Sequence, residues 1–578
     1  MSNKFKLIRK LKELGILPHS LGGWIALLII GLAEVFFLIL VLMLNILPIG
    51  YLIGVILFMV AMDVLIQILI NTKSKHGTRR IVAMVLFVFM LNVLMIGDYY
   101  VYSTYDTLQR ISAQRDTWEY YDVVALKDGS CQDVSDLTGA TVYEMDMDSK
   151  QLTEASERLV TKADVKIETV SGLIALGQKL VDDGSSASGK SVAHDANATE
   201  EDIAAAAEKQ ATSPTDLSDM TEDEGTGEVE NPEADQQKEK ADKTEEGSSS
   251  GKERAKNLND NAILVSHSGY NLIKSNIKGF KKNTQILYKL KVKKRADDSS
   301  KAVDVTKDSF NVLISGMDVW GTIDQQALSD VNMVMTVNPT TREILLTSIP
   351  RDSYIPLHSF GQKDKLTHSG IYGSQETLQT IEDFLDTEIN YTVKVNFSML
   401  VDVVNAIHGI TVHNDIDFES SVKGWHYKEG DIAMTGRQAL WFARERKSFP
   451  DGDMQRNKNQ QKVLAAIIKK VTSSKVLLTS YAGILDAVED EMSTDLTDRD
   501  LKRLAKMQLR DMRKWTIHKV SIEGSTGGAP CYSMGGENLS CVFPYDEDVE
   551  KAKQAIHDVM YPVNNTEQKN EPTTTTGE

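Results

Sequence analysis

Aspartates and arginines carry the strongest chemical signal in this chain. Asp318 and Asp330 enclose a short polar stretch, and Arg351 with Asp352 closes the apolar run that follows. Carboxylates offer hard oxygen ligands to a divalent cation, and a guanidinium grips phosphate oxygens in two-pronged fashion. Together they point to a metal-and-phosphate site. Farther on, ALWFARER supplies Arg444 and Arg446, and DGDMQRNKNQQ supplies Arg456 and Gln460. Arg444 and Arg446 are two apart and do not share a helical face. They can converge on one ligand only if the helix ends there, and Phe449-Pro450-Asp451-Gly452 ends it. Arg456 and Gln460 are four apart and do share a face. Three arginines and a glutamine around one helix–loop–helix corner form a candidate anion clamp.

The elements that must position these groups are legible nearby. Phe310–Ile314, Val331–Val337 and Ile344–Ile349 are apolar runs, the last two joined by Asn338-Pro339-Thr340-Thr341. That pattern reads as a β-hairpin inside a sheet, with the charged residues at strand ends that open onto a cleft. A loop carrying Lys365 and His368 precedes an amphipathic helix from Ser374 to Leu385, and His368 reads as solvent-facing. A strand at Tyr391–Asn396 contains Lys394. A helix at Ser398–Ile407 follows, opened by Ser398 as its cap. Helices are expected at Gly436–Glu445, from Met454 onward, and at Leu477–Val488, Asp498–Leu509 and Asp546–Met560, with a strand at Trp515–Ile522. The tail from 563 to 578 is polar and reads as loose.

The N-terminal part has a different character. Gly23–Leu47, Ile49–Ile70 and Ile81–Gly97 are long apolar runs, broken only by Glu34 and Asp63. A bilayer core takes about 20 apolar residues in a helix, so three membrane spans are expected within 21–103. The third ends in Tyr99, Tyr100 and Tyr102, which suit the interface. Lys4, Lys6, Arg9, Lys10 and Lys12 lie before the first span, and Lys73, Lys75, Arg79 and Arg80 lie between the second and third. Positive residues stay inside, so residues 1–20 should be cytoplasmic and everything after about Tyr102 extracytoplasmic at the plasma membrane. Glu34 and Asp63 could face each other within the bilayer.

Residues 104–300 alternate strand-like and helix-like runs, the pattern of a small α/β accessory domain. Within it, 184–256 is rich in Ser, Ala, Glu and Asp and has no aromatic residue. It cannot bury enough apolar surface to fold and reads as a disordered acidic insertion within one domain. Between Glu200 and Glu246 there are 17 Asp/Glu and 4 Lys, a net of -13 out of -18 for the chain. The acidic balance therefore says little about the folded parts. Cys531 and Cys541 flank a Gly-rich loop and could pair in an oxidising space, which would leave Cys131 over.

With SGMD, SDVN, LLTSIPRD, KLTHSGIYG, VNF, ALWFARER and DGDMQRNKNQQ in place, the stretch Phe310–Ile522 resembles the LytR-CpsA-Psr family of cell-wall glycopolymer ligases of Gram-positive bacteria. The three spans and the accessory domain resemble its capsule-type members. The resemblance implies a three-layer α–β–α catalytic domain at 301–562, with a central mixed sheet and a deep apolar pocket for a polyprenyl tail. It implies a phosphotransferase that moves a glycopolymer, capsular polysaccharide or another wall polymer, from a polyprenyl-pyrophosphate carrier to peptidoglycan with Mg²⁺. Carried over residue by residue, Asp318 and Asp330 match the metal site. Arg351, Asp352, Arg444 and Arg446 take the catalytic role, and Arg456, Gln460, Lys394 and Lys365 bind substrate. Lys394 stands where many relatives have arginine, so it keeps the charge and loses the fork. Membrane proteins of capsule synthesis are further expected partners. Two other readings stay open: a membrane-bound regulator or sensor that binds wall precursors, and a polyprenyl-pyrophosphate hydrolase. No nucleic-acid-binding motif occurs in the short N-terminal segment, whose basic residues are accounted for by membrane orientation.

Overall fold

The computed structural model describes residues 17–18, 20–71, 78–112, 117–129, 131–147, 149–188, 261–294, 302–317, 329–421, 424–473, 481–488 and 492–562. Asp318, most of the acidic insertion, most of the basic N-terminal segment and the 563–578 tail lie outside the described residues. So does the start of the helix expected at Leu477, whose described part is Tyr481–Val488.

Three long helices come first: α1 (Leu21–Leu44), α2 (Ile49–Asn71) and α3 (Thr78–Ser112). All three are long and apolar enough to cross a membrane. Ser20 caps α1 by accepting from the Gly23 N–H at 3.1 Å, and Asn45 ends it in the left-handed conformation. Glu34 and Asp63 face each other within this bundle, close enough to hydrogen-bond. Helix α3 does not stop at Gly97. Its 35 residues span about 50 Å at 1.5 Å per residue, well beyond a hydrocarbon core of about 30 Å. It carries the chain through Tyr99, Tyr100 and Tyr102 to the next domain without a break.

That domain is built on a five-stranded sheet of β1 (Thr117–Leu126), β2 (Thr141–Met145), β3 (Lys166–Val170), β4 (Ala262–Ser266) and β5 (Thr284–Lys294), in the order β3-β2-β4-β1-β5. Strand β4 follows the long acidic segment, yet it lies between β2 and β1, which precede it. Helix α4 (Lys150–Ala163) covers one face through Leu152, Ala155 and Leu159. Helix α5 (Leu173–Ser188) covers the other, in a cluster that also takes in Leu357, Ile371 and Tyr372 from the next domain.

The second sheet comprises β6 (Phe310–Met317), β7 (Ser329–Asn338), β8 (Glu343–Ile349), β9 (Tyr391–Val395), β10 (Met492–Thr494) and β11 (Thr516–Ser521). Its order is β10-β9-β6-β7-β8-β11. Strands β9 and β6 pair in parallel, as do β8 and β11, while β7 runs against both of its neighbours. The sheet is therefore mixed, and β6, β8, β9 and β11 all end at one edge. Helices α6 (Ser374–Leu385) and α12 (Asp546–Met560) cover one face, where Leu313, Val334, Leu345 and Ile349 pack against Ile381 and Ile556. Burying each such side chain contributes roughly 1.5–3 kcal/mol. Helices α9 (Gly452–Val471) and α11 (Asp498–Asp511) lie on the opposite face. The result is the expected three-layer α–β–α domain.

The β7–β8 turn follows from its sequence. The Asn338 side-chain oxygen accepts from the Thr340 and Thr341 N–H groups, both at 3.0 Å, and Arg342 closes the turn at φ 64°. Arg342 then donates twice to Asp511, at 3.0 and 2.8 Å, and stacks on Trp515, which fixes the end of α11.

Helix α7 (Phe397–Ala406) differs from expectation at its start. Asn396, not Ser398, is the cap: its backbone is extended and its side chain accepts from the Met399 N–H at 2.9 Å. Helix α8 (Gly436–Arg444) opens with a reciprocal Thr435–Gln438 capping box. Its first residue touches α7 so closely that a Cβ at Gly436 would lie 2.2 Å from the Val401 carbonyl oxygen. Gly436→Ala should therefore force α7 and α8 apart and lower stability by about 1–3 kcal/mol, read from the thermal unfolding of the detergent-solubilised chain.

Candidate active site

The charged groups gather where the parallel strands end, the edge at which open α/β sheets bind their ligands. Asp330 opens β7 at this edge, and Arg351 and Asp352 follow β8. The backbone there is held from three sides. The Arg351 carbonyl accepts from Thr367 N–H at 2.8 Å, the Asp352 carbonyl from Val542 N–H at 2.8 Å, and the Ser353 carbonyl from Leu366 N–H at 2.9 Å. Val542 belongs to a two-stranded hairpin of β12 (Gly524–Cys531) and β13 (Glu537–Pro544), which thereby supports the site.

Arg351 lies at the centre. Its Nη1 donates to Asp330 Oδ1, and its Nε lies 3.6 Å from Asp352 Oδ2 and 4.0 Å from Asp453 Oδ2. Asp453, in the first turn of α9, also faces Arg456 at 3.4 Å and Arg446 at 3.8 Å. Lys365 Nζ lies 3.5 Å from Asp352 Oδ1. Asp330, Asp352 and Asp453 thus stand among Arg351, Arg446, Arg456 and Lys365. Burial works against the Arg351 charge, but its three carboxylate neighbours outweigh this and hold the guanidinium above its ordinary range. Arg456 is pulled the other way, by burial and by the nearby Arg351 and Arg446, against the help of Asp453. It is 7% exposed, and its Nε and Nη2 have no hydrogen-bond partner among the described residues. Unpaired donors on a buried cation are costly, and an anion that took them up would recover that cost.

The sequence of the corner explains its geometry. Helix α8 ends at Arg444, and Glu445 turns extended at ψ 130°, so Arg446 leaves the helix axis. The buried Glu445 carboxylate accepts from Ser421 N–H at 2.6 Å, Ser420 Oγ at 3.0 Å, and the Arg446 and Ser448 N–H groups at 3.1 Å each. Burial alone would raise its pKa, but these donors reverse the sign and hold it below the ordinary carboxylate range. Across the corner, Gln461 donates to the Leu346 and Val520 carbonyls and accepts from Ser521 Oγ, which ties α9 to β8 and β11. Arg444 takes a different position from its neighbours: its guanidinium lies 4.2 Å above the Phe397 ring and 5.1 Å from Trp441.

The cluster therefore brings together Asp330, Arg351, Asp352, Lys365, Arg446 and Arg456. Lys394 sits in a cross-strand row with Ser315 and Asn332, two residues along β7 from Asp330. Gln460 is half-buried on α9, beside the Gln461 that anchors that helix. Two residues were not singled out from the sequence. Asp453 stands three positions before Arg456 at a helix start, a spacing that was there to be read. Asn332 is buried with neither amide atom hydrogen-bonded, and nothing in its type or spacing announced that. The acidic groups are hard oxygen donors of the kind Mg²⁺ prefers, and the buried Asp453 Oδ1 has no hydrogen-bond partner among the described residues. The described part of the donor set thus fits such an ion.

His368 is not the solvent-facing residue expected. It is buried and its Nδ1 lies 2.6 Å from Asp364 Oδ1. Asp364 also accepts from its neighbour Lys365 N–H at 2.7 Å, from Ser533 N–H at 2.6 Å and from Ser533 Oγ. The reason is local: Lys363–Lys365 pairs with Tyr354–Pro356, and that register turns Asp364 inward beneath the β12–β13 turn. Cys531 and Cys541 are buried thiols with their sulfurs 3.7 Å apart and no disulfide between them, and Cys131 is a buried thiol elsewhere.

Residues 270–556 match the family model described as the LytR_cpsA_psr family. A protein of Enterococcus faecalis named polyisoprenyl-teichoic acid–peptidoglycan teichoic acid transferase TagU is 38% identical over 202 residues, covering 34% of this chain and 65% of that protein. The chain thus spans just under two thirds of that relative's length. A protein of the same name from Bacillus licheniformis is 35% identical over 242 residues, covering 41% of this chain and 78% of its own length. The crystal structure of B. subtilis TagV shares 28% identity at a TM-score of 0.37, covering 44% of this chain and 98% of that one.

The Asp364 network yields a test of how the site is held. Burial would raise the Asp364 pKa, but His368 and Ser533 outweigh it and the group is held below its ordinary value. A carboxylate lowered on folding adds stability above its unfolded pKa of about 4 and loses it as the pH falls further. Asp364→Asn should therefore cost about 1–3 kcal/mol at neutral pH, and the deficit should shrink in unfolding curves taken at falling pH through that range.

Proposed function

The chain belongs to the LytR_cpsA_psr family, and from that premise we propose that it transfers a glycopolymer from a polyprenyl-pyrophosphate carrier to peptidoglycan. It is a transferase whose work is charge neutralisation around a diphosphate. One observation carries the reading: Arg351, Arg446 and Arg456 converge on Asp453 at the carboxyl ends of the parallel strands, with buried guanidinium donors that no described residue pairs.

The acceptor is a sugar hydroxyl of the wall. Its oxygen forms a bond to the phosphorus that carries the polymer, the bond to the lipid phosphate breaks, and the lipid monophosphate leaves. Arg456 and Arg351 hold the phosphate oxygens as charge builds up, and Arg446 and Lys365 close around them. Asp352 and Asp330 are the carboxylates placed to take the hydroxyl proton. Asp330, together with Asp318, would hold a Mg²⁺ ion, which supplies further positive charge at the diphosphate. Arg444 lies over the Phe397 and Trp441 rings, outside the described cluster, and its part in holding the ligand is carried over from the family motif alone.

The catalytic domain lies outside the cell. It rests on the helix ends near Asn45 and Leu108, opposite the ends at Ser20 and Arg79 that the positive-inside reading puts in the cytoplasm. A capsular polysaccharide is the polymer that the accessory domain and the three spans favour, with membrane proteins of its synthesis as partners.

The test is incubation of the full-length protein in detergent with a lipid-pyrophosphate donor, wall acceptor and Mg²⁺. Polymer joined to acceptor is the expected product. Free phosphate-ended polymer would instead mark a hydrolase, and unchanged donor a sensor. Arg351→Ala and Arg456→Ala should each lower transfer by about 10²–10³-fold without changing the unfolding temperature by more than a few degrees. A variant that keeps its full rate would remove that arginine from the clamp.

A further inference from the structure

Four side chains able to ligate a cation gather behind the loop that carries Asp352. Asp364, Cys531 and Cys541 are each 0% exposed, and His368 is 6% exposed. Asp364, His368 and Cys531 offer ligand atoms that all lie within 4.8 Å of one another. Cys541 Sγ extends the group, 3.7 Å from Cys531 Sγ. Two thiolates on one tetrahedral zinc ion stand about 3.8 Å apart, because each Zn–S bond is about 2.3 Å long. The two sulfurs therefore already have the spacing of that tetrahedral edge.

The donor types narrow the ion. Mg²⁺ takes oxygen ligands, whereas thiolate and imidazole together select Zn²⁺. Four protein ligands in a closed, buried set mark a structural site, since a catalytic one keeps a position open. A disulfide is the other outcome for two close thiols, but it needs a thiolate to form. Burial raises the pKa of both cysteines, and Asp364 raises that of Cys531 further, so neither is poised for that reaction. A bound cation supplies the charge that turns them into ligands, and their protons leave to solvent. The carboxylate is also oriented from outside the group: Ser533 donates its N–H to Asp364 Oδ2 at 2.6 Å, with Ser533 Oγ beside it, while Oδ1 faces His368. Such supporting bonds are what hold a ligand in place.

We propose that Asp364, His368, Cys531 and Cys541 form a structural Zn²⁺ site that clamps the β12–β13 hairpin to the segment from Lys363 to Ser369. The ion ties down both neighbours of Asp352. Lys365, which faces the Asp352 carboxylate, lies between two of the ligands in sequence. Val542, which holds the Asp352 carbonyl, directly follows a third.

The test uses the full-length protein in detergent, reduced, stripped with EDTA and titrated with Co²⁺ alone in excess Mg²⁺, which fills oxygen-only sites. The expected result is one Co²⁺ per chain with a thiolate-to-cobalt charge-transfer band and the strong visible bands of tetrahedral cobalt, both removed by Zn²⁺. Cys531→Ser and Cys541→Ser should each weaken uptake by about 100-fold or more, while Cys131→Ser leaves it unchanged. Zn²⁺ should raise the unfolding temperature of the stripped protein. Absence of the sulfur band in the unsubstituted protein overturns the site, whatever the variants do. So does a band that survives in Cys531→Ser. Protein isolated without reductant should show three reactive thiols on denaturation in EDTA. A single thiol there, with Cys531 and Cys541 joined, also overturns it.

Discussion

Like charges must be held close together before any anion arrives, and the rest of the catalytic domain answers to that constraint. Arg351, Arg446 and Arg456 would repel one another if left alone. Asp453 faces all three, and Asp330 and Asp352 share the charge of Arg351. In this arrangement the carboxylates hold the places that the oxygens of the proposed diphosphate would take. A bound anion would take over guanidinium donors that are buried and incompletely paired, and would free acidic oxygens for a metal ion. Charge in the site is exchanged between partners, and little of it has to be created on binding.

Rigidity around the cluster comes from elements that carry no chemistry. The β12–β13 hairpin holds the Asp352 backbone through Val542, and Asp364 fastens that hairpin through Ser533. Glu445 spends its carboxylate on backbone donors of the arginine corner. Gln461 does the equivalent for the middle of α9 with its amide. Each of these buried polar groups takes at least one partner far away in the chain. The corner is thus fixed to the sheet and to the hairpin, and the groups that face the cleft are left to bind.

The order and type of the elements were readable in the sequence, because apolar period and turn chemistry fix them locally. The Asn338 turn and the three apolar spans are of this kind. Where a cap was misplaced, at Ser398, two polar residues competed and only the backbone geometry of Asn396 decided between them. Most of the site residues were legible by type: Asp330, Arg351, Asp352, Arg446 and Arg456 do meet, along with Lys365. What the sequence could not supply is partnership. His368 looked like a loop residue because Asp364 turns inward only through strand pairing with Tyr354–Pro356. Asp453 was not singled out because its role depends on Arg351, which is far away in the chain.

The membrane helices and the catalytic domain are likewise one arrangement. Helix α3 runs unbroken out of the apolar bundle and packs, with the end of α1, against helices that cover the catalytic sheet. The central claim is that the arginine corner is a receptor for a lipid-borne diphosphate, and direct binding tests it most simply. Titration calorimetry of a short prenyl diphosphate into the detergent-solubilised chain, with Mg²⁺ present, should give saturable binding that Arg456→Gln weakens by about tenfold or more. Equal affinity in the two proteins, or no binding in either, would contradict it.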